Sequence, residues 1–529
     1  MTPPIGTPVD AVIVGSGAAG LAAAIAAADA GCEVLVVEKA AVVGGTTAKS
    51  GGVFWLPDNH HQRDLGIADP PGLALRYMAR VGAPDRYRPE AELCGLSTWE
   101  HDLLDAYCRT AAGVLDYLEG LDALRSTAEN AVAFPDYHTH LPEQGGVRGR
   151  ALCPADDLGR PAGGAELIAQ LERAARRLGV HILTGHRFVD LGVVDGAVVG
   201  VTVRSPEGVE VAVEARRGVV LALGGFTHGR EHRERWLPAR VWGGCAAGTN
   251  TGDALPVLEA LGIPLHNMDC AWWDQVAVEH TLGSSTETRA GMWVAPGDSS
   301  LVVDAAGRRI GNEKAVYNER AKLHLAPDAP SLVFLLFDER TRAQFGTEQF
   351  AYPLAAAGEP DDHILHGDTW EALIEALDAR LADLGERIGG VRLAPDFVAA
   401  LQKTVRRYNE LATAGEDLDF GRGEREIETF FSGPPRPGGG PNPTMAPLAN
   451  SGPYHAVILG LGTLDTKGGP RTDRHGRVLD GAGGHVPNLY AAGNCAASPA
   501  NDGYWAAGAT IGPALVFGVA AGRHLAHQP

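Results

Sequence analysis

The segment VDAVIVGSGAAG near the start of the chain constrains the fold more than any other stretch. Its first part, Val9–Gly15, is a continuous apolar run that ends at glycine, which is typical of a buried parallel strand. The alanine-rich stretch Ala18–Ala30 predicts a helix that stops at Gly31, and Glu33–Lys39 predicts the next strand. A strand–helix–strand unit therefore opens the chain.

The three glycines of this unit have a spacing that suits a bound pyrophosphate. Gly15 permits a tight turn, Gly17 lets the backbone approach a phosphate, and Gly20 lets helix and strand pack closely. Glu38 ends the second strand, where a carboxylate can accept hydrogen bonds from ribose hydroxyls. Glycine-rich turns are common, but the order strand, turn, helix, strand and glutamate favours a dinucleotide site over an ordinary turn.

A second glycine-rich segment, Gly44–Pro57 (GGTTAKSGGVFWLP), supplies backbone amides and hydroxyls that a flavin could use. An ordinary glycine-rich loop is the alternative interpretation. The segment has no histidine that could form a covalent link, so we expect a flavin here to be bound non-covalently.

The segment LYAAGNCAASPANDGYWAAGATIGPALVFG lies near the other end of the chain. An apolar strand runs into Gly493 and Asn494, and GATIGPAL predicts a helix that begins near Thr510–Ile511. The N-terminal dipole of such a helix would stabilise an anionic reduced flavin, while a plain terminal helix is the alternative. The phenol of Tyr504 lies four residues before the amide of Gly508, a pairing that suits a ketone oxygen better than a carboxylate.

Composition and charge exclude several classes of protein. The net charge of −20 argues against nucleic acid and against an anionic membrane surface, because both need a basic footprint. The seven cysteines are scattered without a CxxC pair, so no metal site or redox dithiol is predicted. No apolar stretch approaches the roughly 20 residues of a membrane span, and the N-terminus lacks a signal-peptide pattern. We expect a cytoplasmic enzyme with reduced thiols and no membrane span.

The length of 529 residues exceeds the usual size of one core, so two domains are expected. Alternating segments with DG and EG turn signals predict a β-meander that returns to the first sheet at Val219–Leu223. From about Val278 to Met445 the pattern changes to short strands and two charged helices, and GPPRPGGGPNP is typical of a boundary connection. Strands resume from Pro453 onward, which predicts one sheet-based domain interrupted by a mixed α+β cap.

Together these segments resemble the 3-ketosteroid Δ1-dehydrogenase branch of the fumarate reductase/succinate dehydrogenase flavoprotein superfamily. The likeness covers nearly the whole chain and includes GSGAAG, GGTTAKSGGVFWLP, AFPDYH, VVLALGGF, NTGDA, NEKAVY, GTLDTKGGPRTDRHGRVL, LYAAGN and GYWAAGATIGPA. It implies an α/β fold: a Rossmann-like FAD-binding domain of the glutathione-reductase type, about 1–277 and 447–529, interrupted by a catalytic cap domain, about 278–446. It also implies an FAD-dependent dehydrogenase that forms a C=C bond beside the carbonyl of a 3-ketosteroid or similar hydrophobic polycyclic ketone, with an unknown electron acceptor.

The resemblance further implies roles for four residues. Tyr317 of NEKAVY would be the base that removes the proton next to the ketone, and Tyr137 of FPDYH would be its hydrogen-bonded helper. Tyr504 and Gly508 would hold the 3-keto oxygen while a hydride passes to flavin N5. A phenol starts from a pKa of about 10, which must be lowered for action near neutrality. For any one of these tyrosines a core or rim aromatic is the alternative.

The residues expected to contact FAD lie in the glycine-rich segments, the meander and the last helix. They are Gly15, Ser16, Gly17, Ala18, Ala19, Gly20, Glu38, Lys39, Gly44, Gly45, Thr46, Thr47, Ser50, Gly51, Gly52, Val53, Phe188, Val189, Ala222, Gly224, Gly225, Gly493, Asn494, Gly508, Thr510, Ile511, Gly512 and Leu515.

Closely related reactions stay open at this point. The residues Asn501, Asp502 and Trp505 beside Tyr504 depart from the family pattern, which would alter the shape of the pocket. The double bond could form at C4–C5 instead, or the substrate could be a non-steroid cyclic ketone.

Two competing functions use the same scaffold. A fumarate- or urocanate-type reductase needs arginines for carboxylates, and Leu489–Gly522 contains none. The arginines noted in the cap are Arg289, Arg308, Arg309 and Arg320. A non-catalytic flavin-binding electron carrier would keep the FAD motifs without needing three tyrosines.

Overall fold

The computed structural model describes residues 6–128, 134–283, 286–288, 291–345, 362–432 and 440–528. The strands within them are, in chain order, β1 Val9–Val14, β2 Val34–Val37, β3 Phe54–Trp55, β4 Ser126–Thr127, β5 Ala151–Pro154, β6 His181–Leu183, β7 Arg187–Val194, β8 Ala197–Arg204, β9 Glu210–Leu221, β10 Gly243–Gly244, β11 Leu265–His266, β12 Ala271–Ala277, β13 Ser300–Val303, β14 Leu332–Asp338, β15 Ile364–Gly367, β16 Tyr454–Thr466, β17 Gly469–Pro470, β18 Arg477–Leu479 and β19 His485–Ala491. The α-helices are α1 Ala18–Asp29, α2 Gly45–Lys49, α3 His60–Asp64, α4 Pro71–Gly82, α5 Thr98–Gly120, α6 Gly164–Arg177, α7 Arg230–Trp236, α8 Leu255–Ala260, α9 Val278–Thr281, α10 Tyr317–Lys322, α11 Glu339–Phe345, α12 Trp370–Leu384, α13 Phe397–Ala414, α14 Glu426–Ser432 and α15 Ile511–Ala526.

The chain divides into two compact units. The first contains Met1–Trp236, Thr249–Ala271 and Asp465–Pro529, and the second contains Leu237–Gly248 and Trp272–Leu464. Among the described residues, no helix combines the length and the apolar character needed to cross a membrane.

Parallel strands form the central sheet of the first unit. Strand β1 lies between β2 and β9, and β6 and β19 extend the parallel pairing on the two sides. All residues of β1 except Asp10 are buried, as expected for a strand covered on both faces. The predicted strand–helix–strand unit is confirmed, and Gly31 after α1 has the left-handed conformation (φ 88°) of a helix end.

The first and last helices of the chain pack closely through small residues. A Cβ atom at Gly518 would lie 2.5 Å from the carbonyl oxygen of Ala19, and one at Gly522 would lie 2.2 Å from that of Ala23. Glycine at these two positions therefore lets the backbones of α1 and α15 approach each other. This contact brings the two distant glycine-rich segments into one unit.

The predicted β-meander is confirmed. Strands β7, β8 and β9 pair in antiparallel order, and Gly218–Leu221 at the end of β9 then pairs in parallel with β1. The meander therefore feeds directly into the central sheet.

A second sheet forms the core of the second unit. Strand β16 is 13 residues long and pairs with β14, β15, β12 and β10 along its two edges, while β13 pairs with β14. Apolar side chains from this sheet pack against those of α12 and α13, which confirms both predicted helices.

Strand β16 differs from the sequence-based expectation. Its first part, YHAVILGL, was expected to lie in the first domain, but it pairs with strands of the second sheet. The second unit therefore extends beyond the predicted cap at 278–446, because β10, β12 and most of β16 contribute strands to its sheet. The assignment of the two units as FAD-binding and catalytic domains stays a prediction. Most of the predicted boundary connection, at 433–439, lies outside the described residues.

Candidate active site

The first glycine-rich turn is shaped for close backbone approach. A Cβ atom at Gly15 (φ 104°) would lie 2.2 Å from the carbonyl oxygen of Ala222, and one at Gly20 would lie 1.9 Å from that of Gly15. Gly17 is the N-cap of α1 without a side-chain cap, and the amide of Ala18 donates to Thr47 Oγ1 at 3.2 Å. The turn therefore leads directly into the positive end of a buried helix, where a phosphate is favoured.

Glu38 lies beside this turn. Its carboxylate accepts hydrogen bonds from the amide and hydroxyl of Ser16 at 3.0 and 2.6 Å, and from the amide of Ala40 at 2.7 Å. The side chain is buried, so these bonds are shielded from water. Glu38 thus links the end of β2 to the glycine-rich turn, next to the expected ribose position.

We expect the substitution Glu38→Gln to weaken FAD binding by roughly tenfold or more, because a charged acceptor is replaced by an amide that also carries donors. The Kd is measured by titrating apoprotein with FAD and following flavin fluorescence. Glu33→Gln, at an exposed carboxylate that pairs with Arg216, is the matched control. Equal Kd values for the two variants would contradict a cofactor role for Glu38.

The segment Gly44–Pro57 forms α2, β3 and short turns in the first unit. The hydroxyl of Ser50 donates to the carbonyl of Thr47 at 2.7 Å and accepts from the amide of Gly52 at 3.1 Å. The amide of Asn250 donates to Thr46 Oγ1 at 3.1 Å. The hydroxyls of Ser50 and Thr46 therefore stabilise the backbone conformation of this segment through hydrogen bonds. The other predicted cofactor residues of this segment are Gly44, Gly45, Gly51 and Val53.

Asp465 is a buried hub that the sequence analysis did not assign. Its carboxylate accepts hydrogen bonds from the Gly225 amide at 2.9 Å, from Asn250 Nδ2 at 2.7 Å and from Asn494 Nδ2 at 3.2 Å. A Cβ atom at Gly224 would lie 2.5 Å from Asn250. The hub therefore joins two predicted cofactor segments, LGGF and LYAAGN, to Asn250 of the NTGDA motif. The one sequence signal for Asp465 is that it belongs to the DTKGG motif, which is among the motifs shared with the family.

Three predicted cofactor residues lie in other surroundings. Lys39 Nζ contacts Asp253 at 3.1 Å and Thr251 Oγ1 at 2.6 Å, so its charge has a carboxylate partner. The side chain of Phe188 packs in the hydrophobic core of the first unit. The pairing register of β7 with β8 shifts between Phe188 and Asp190, so Val189 lies at an irregularity of the strand.

The start of α15 has the features of a flavin-contacting helix end. Thr510 is the N-cap residue, and a Cβ atom at Gly512 would lie 2.3 Å from the carbonyl oxygen of Trp55. Thr510 Oγ1 and Trp505 Nε1 are buried, and the described residues provide no hydrogen-bond partner for either atom. Buried polar atoms are costly unless a ligand or water satisfies them, so these residues fit a polar cofactor such as FAD. Ile511 and Leu515 are buried along the same helix.

Three of the four predicted catalytic residues, Tyr137, Tyr504 and Gly508, lie in the first unit. The rings of Tyr137 and Tyr504 meet edge to face with centroids 5.4 Å apart, and the amide of Tyr137 donates to the carbonyl of Trp505 at 2.9 Å. Gly508 has a φ of 85°, and a Cβ atom there would lie 2.5 Å from the amide nitrogen of Trp55. Both tyrosines are buried. Two phenols and a glycine with a left-handed backbone conformation therefore belong to or contact the loop that contains Tyr504 and Gly508.

A buried ion network lies beneath this loop and was not predicted. Arg150 pairs with Asp69 at 2.7 Å and with Asp136 at 2.8 Å, and the three side chains are between 0% and 5% exposed. Asp136 also accepts from Trp55 Nε1 at 2.8 Å. Burial lowers the pKa of Arg150, but the two carboxylates more than offset this and raise it. Because Asp136 directly precedes Tyr137, the network fixes the backbone that carries this phenol.

The unusual NDG sequence before Tyr504 is anchored on both sides. Asn501 adopts a left-handed conformation (φ 46°), and its Nδ2 donates to Glu100 Oε1 at 2.7 Å. Burial raises the pKa of Glu100, but hydrogen bonds from an arginine and a serine lower it to about 2, so the acceptor is ionised. Lys467 Nζ donates to the carbonyl of Gly503 at 2.9 Å. Asn501, one of the residues that depart from the family pattern, therefore ties this loop to α5 through its hydrogen bond to Glu100.

Tyr317 lies in the second unit, as the first residue of α10, and is buried. The next residue, Asn318, accepts a hydrogen bond from the amide of Trp273 at 3.2 Å, which ties α10 to β12. Burial raises the pKa of Asp274 on β12 to about 7, although the nearby Arg320 lowers it. Burial also lowers the pKa of Arg320 to about 10. The start of α10 therefore lies beside a buried acid–base pair.

The cap arginines differ in their partners. Arg308 and Arg309 form salt bridges with carboxylates at 2.9 and 2.7 Å. Arg320 is buried, and its Nε and Nη1 atoms have no partner among the described residues. Arg289 lies outside the described residues. Of the three arginines that can be placed, Arg320 is the one with buried nitrogen atoms that have no hydrogen-bond partner among the described residues.

Comparisons with known proteins identify the family of this chain. A family model described as FAD binding domain matches residues 10–511. The chain is 32% identical to 4-oxocyclohexanecarboxylate 2-dehydrogenase of Sinomonas cyclohexanicum, over 99% of this chain and 94% of that relative. It is 30% identical to 3-oxosteroid 1-dehydrogenase of Mycobacterium tuberculosis, over 98% of each chain. The crystal structure of 3-ketosteroid Δ1-dehydrogenase from Sterolibacterium denitrificans, in complex with 1,4-androstadiene-3,17-dione, is similar with a TM-score of 0.79 at 26% identity, covering 98% of this chain and 99% of that one.

The chain therefore belongs to the FAD-binding domain family, within the branch that includes the 3-oxosteroid 1-dehydrogenases. The resemblance inferred from the motifs is confirmed, as are the FAD-binding fold, FAD as the cofactor and the class of oxidoreductase.

Proposed function

We propose that this protein is an FAD-dependent dehydrogenase that forms a C=C bond beside the carbonyl of a 3-ketosteroid or similar polycyclic ketone, between C1 and C2. The observation that carries the proposal is the cluster of Tyr137, Tyr504 and Gly508, with phenol rings 5.4 Å apart beside a glycine in a conformation with φ 85°. Relatives with 3-oxosteroid 1-dehydrogenase activity by name, aligned over nearly the full length, support it.

In this proposal the ketone oxygen accepts hydrogen bonds from the hydroxyl of Tyr504 and the amide of Gly508. Enolate charge develops on that oxygen when the neighbouring carbon loses a proton. Fixed donors in a dry site stabilise such charge, and one donor of this kind is worth on the order of 10²–10³ in kcat. Burial of Tyr504 and the aromatic side chains around it provide the dry surroundings.

Tyr317 is the proposed base that takes the proton from the carbon next to the ketone, and Tyr137 is its proposed helper. FAD, when bound, supplies the hydride acceptor that completes the oxidation. The proposed FAD ligands in the first unit include the Gly15–Gly20 turn, Glu38 and the start of α15. The second unit, which holds Tyr317, is the proposed catalytic unit.

A carboxylated monocyclic ketone is the second candidate substrate. The relative at 32% identity is named for 4-oxocyclohexanecarboxylate, which carries an anionic group. Arg320 is a buried guanidinium with two nitrogen atoms that lack a partner among the described residues, and such a group pairs well with a carboxylate.

Anaerobic mixing of the FAD-loaded protein with three ketones tests these substrate classes. The ketones are a 3-keto-4-ene steroid, 4-oxocyclohexanecarboxylate and the methyl ester of the latter as a matched neutral control. We expect the steroid to bleach the flavin band in near-stoichiometric amount. Bleaching by the keto acid alone, but not by its ester or the steroid, would establish the second candidate. No bleaching by any ketone, with reoxidation of the reduced protein by fumarate or urocanate, would overturn both in favour of a reductase.

A further inference from the structure

A cluster of possible metal ligands lies on the first unit, away from the residues assigned to FAD and ketone. His60, His61 and Glu119 each offer one ligand atom, and these atoms all lie within 4.8 Å of one another. The two histidines are the first residues of the helix α3, and Glu119 lies near the end of α5. Glu119 is distant in sequence from the two adjacent histidines, and no CxxC or HxxxH motif marks the cluster, so the sequence alone predicts no metal site here.

The surroundings of the cluster hold the ligands in place. His60 Nε2 lies 3.5 Å from Glu119 Oε2, and the two imidazole rings have centroids 4.1 Å apart. Ser126 Oγ contacts His61 Nε2 at 2.8 Å and donates to Glu119 Oε1 at 2.5 Å. Such outer contacts orient metal ligands in known sites. Asn59 closes a capping box at the start of α3, which fixes the backbone of the histidine pair.

The charges around the cluster also suit a cation. Asp116 lies 3.3 Å from His60 Nδ1 and adds a second carboxylate, although Arg63 also contacts it at 3.6 Å. The side chains of His60 and Glu119 are 30% and 24% exposed, which leaves a path for an ion.

We propose that His60, His61 and Glu119 bind a divalent transition-metal ion, with Zn²⁺ as the best match to two imidazoles and one carboxylate. Bonds of about 2.0–2.2 Å in a tetrahedral site place ligand atoms roughly 3.3–3.6 Å apart. The ligand atoms, which lie within 4.8 Å of one another, would have to move closer together when the ion binds. The ion would join α3 to α5, whose Tyr107 hydroxyl donates to the carbonyl of Trp55. This site is independent of the proposed ketone chemistry and would act on stability.

Isothermal titration of the chelator-treated, FAD-loaded protein with ZnCl2 tests the proposal. We expect one Zn²⁺ per chain with a micromolar or lower Kd, and a higher thermal midpoint with Zn²⁺ than without it. His60→Gln and Glu119→Gln should each weaken binding at least tenfold. His475→Gln is the matched control, because this partly buried histidine also lies beside another histidine ring, at 4.9 Å, outside the cluster.

Two measurements distinguish a loss of metal binding from a folding defect. The FAD content and the thermal midpoint without metal must match those of the parent protein for a variant to be compared. If His60→Gln loses FAD, Glu119→Gln provides the comparison, since it changes a charge and not the shape. Absence of a one-to-one binding event, or binding by both variants equal to that of His475→Gln, would overturn the proposal.

Discussion

Replacing Tyr317 by phenylalanine is expected to lower kcat for ketone oxidation by roughly 10²–10⁴-fold, which is the usual contribution of a positioned acid–base group. The phenol is the proposed acceptor of the proton, and phenylalanine keeps the ring but removes the basic oxygen. Flavin reduction under anaerobic single-turnover conditions measures the effect without interference from the electron acceptor. FAD content should stay unchanged, because the predicted cofactor residues lie in the other unit.

Tyr408→Phe is the matched control for this variant. Tyr408 is a buried tyrosine of the same unit, and its hydroxyl donates to the carbonyl of Asp298 at 2.8 Å. Its loss should cost about 1 kcal/mol of stability and leave turnover within a few-fold of the parent. Turnover of Tyr317→Phe as high as that of Tyr408→Phe would show that the base lies elsewhere.

The second large effect is expected at Arg150. Substitution by methionine keeps an unbranched stem but removes the guanidinium, which leaves Asp69 and Asp136 buried without their cation. Removing one partner from a buried ion network destabilises a protein by about 3–5 kcal/mol. Urea unfolding of the FAD-loaded protein measures the change in the free energy of unfolding. Turnover of the folded fraction should also fall, because Asp136 fixes the backbone before Tyr137.

Arg109→Met is the control for charge removal at a surface position. Arg109 pairs with Asp105 at 2.7 Å, and its side chain is 66% exposed. Exposed pairs of this kind contribute about 0–1 kcal/mol. If Arg150→Met is no less stable than Arg109→Met, the buried ion network does not stabilise the backbone around Tyr137.

Local patterns in the sequence were sufficient to predict the strands and helices that carry the predicted cofactor residues. The apolar run ending at Gly15, the helix ending before Gly31 and the helix beginning at Ile511 all have signals within a few residues. Glycine positions were informative for the same reason, since a Cβ atom at Gly20 would collide with the backbone of Gly15. These features depend on short-range geometry, which a single sequence contains.

Features that depend on pairing between distant segments were not predictable in this way. The apolar pattern of YHAVILGL indicates a strand but not its partners, so the pairing of β16 with β14 is not predictable from it. The ion network of Arg150 joins residues 14 and 81 positions away in the chain. Asp465 likewise binds groups more than 200 positions earlier, such as the amide of Gly225. No periodicity or spacing rule connects such residues.

The central claim is that the bound FAD oxidises a cyclic ketone at carbons beside its carbonyl. Anaerobic single turnover of the FAD-loaded protein with a 3-keto-4-ene steroid, followed by mass spectrometry and NMR of the product, tests it most directly. The account predicts one reduced flavin per product molecule, and a product that has lost two hydrogen atoms and gained a C1–C2 double bond conjugated to the ketone. Recovery of the unchanged ketone with the flavin still oxidised would contradict it.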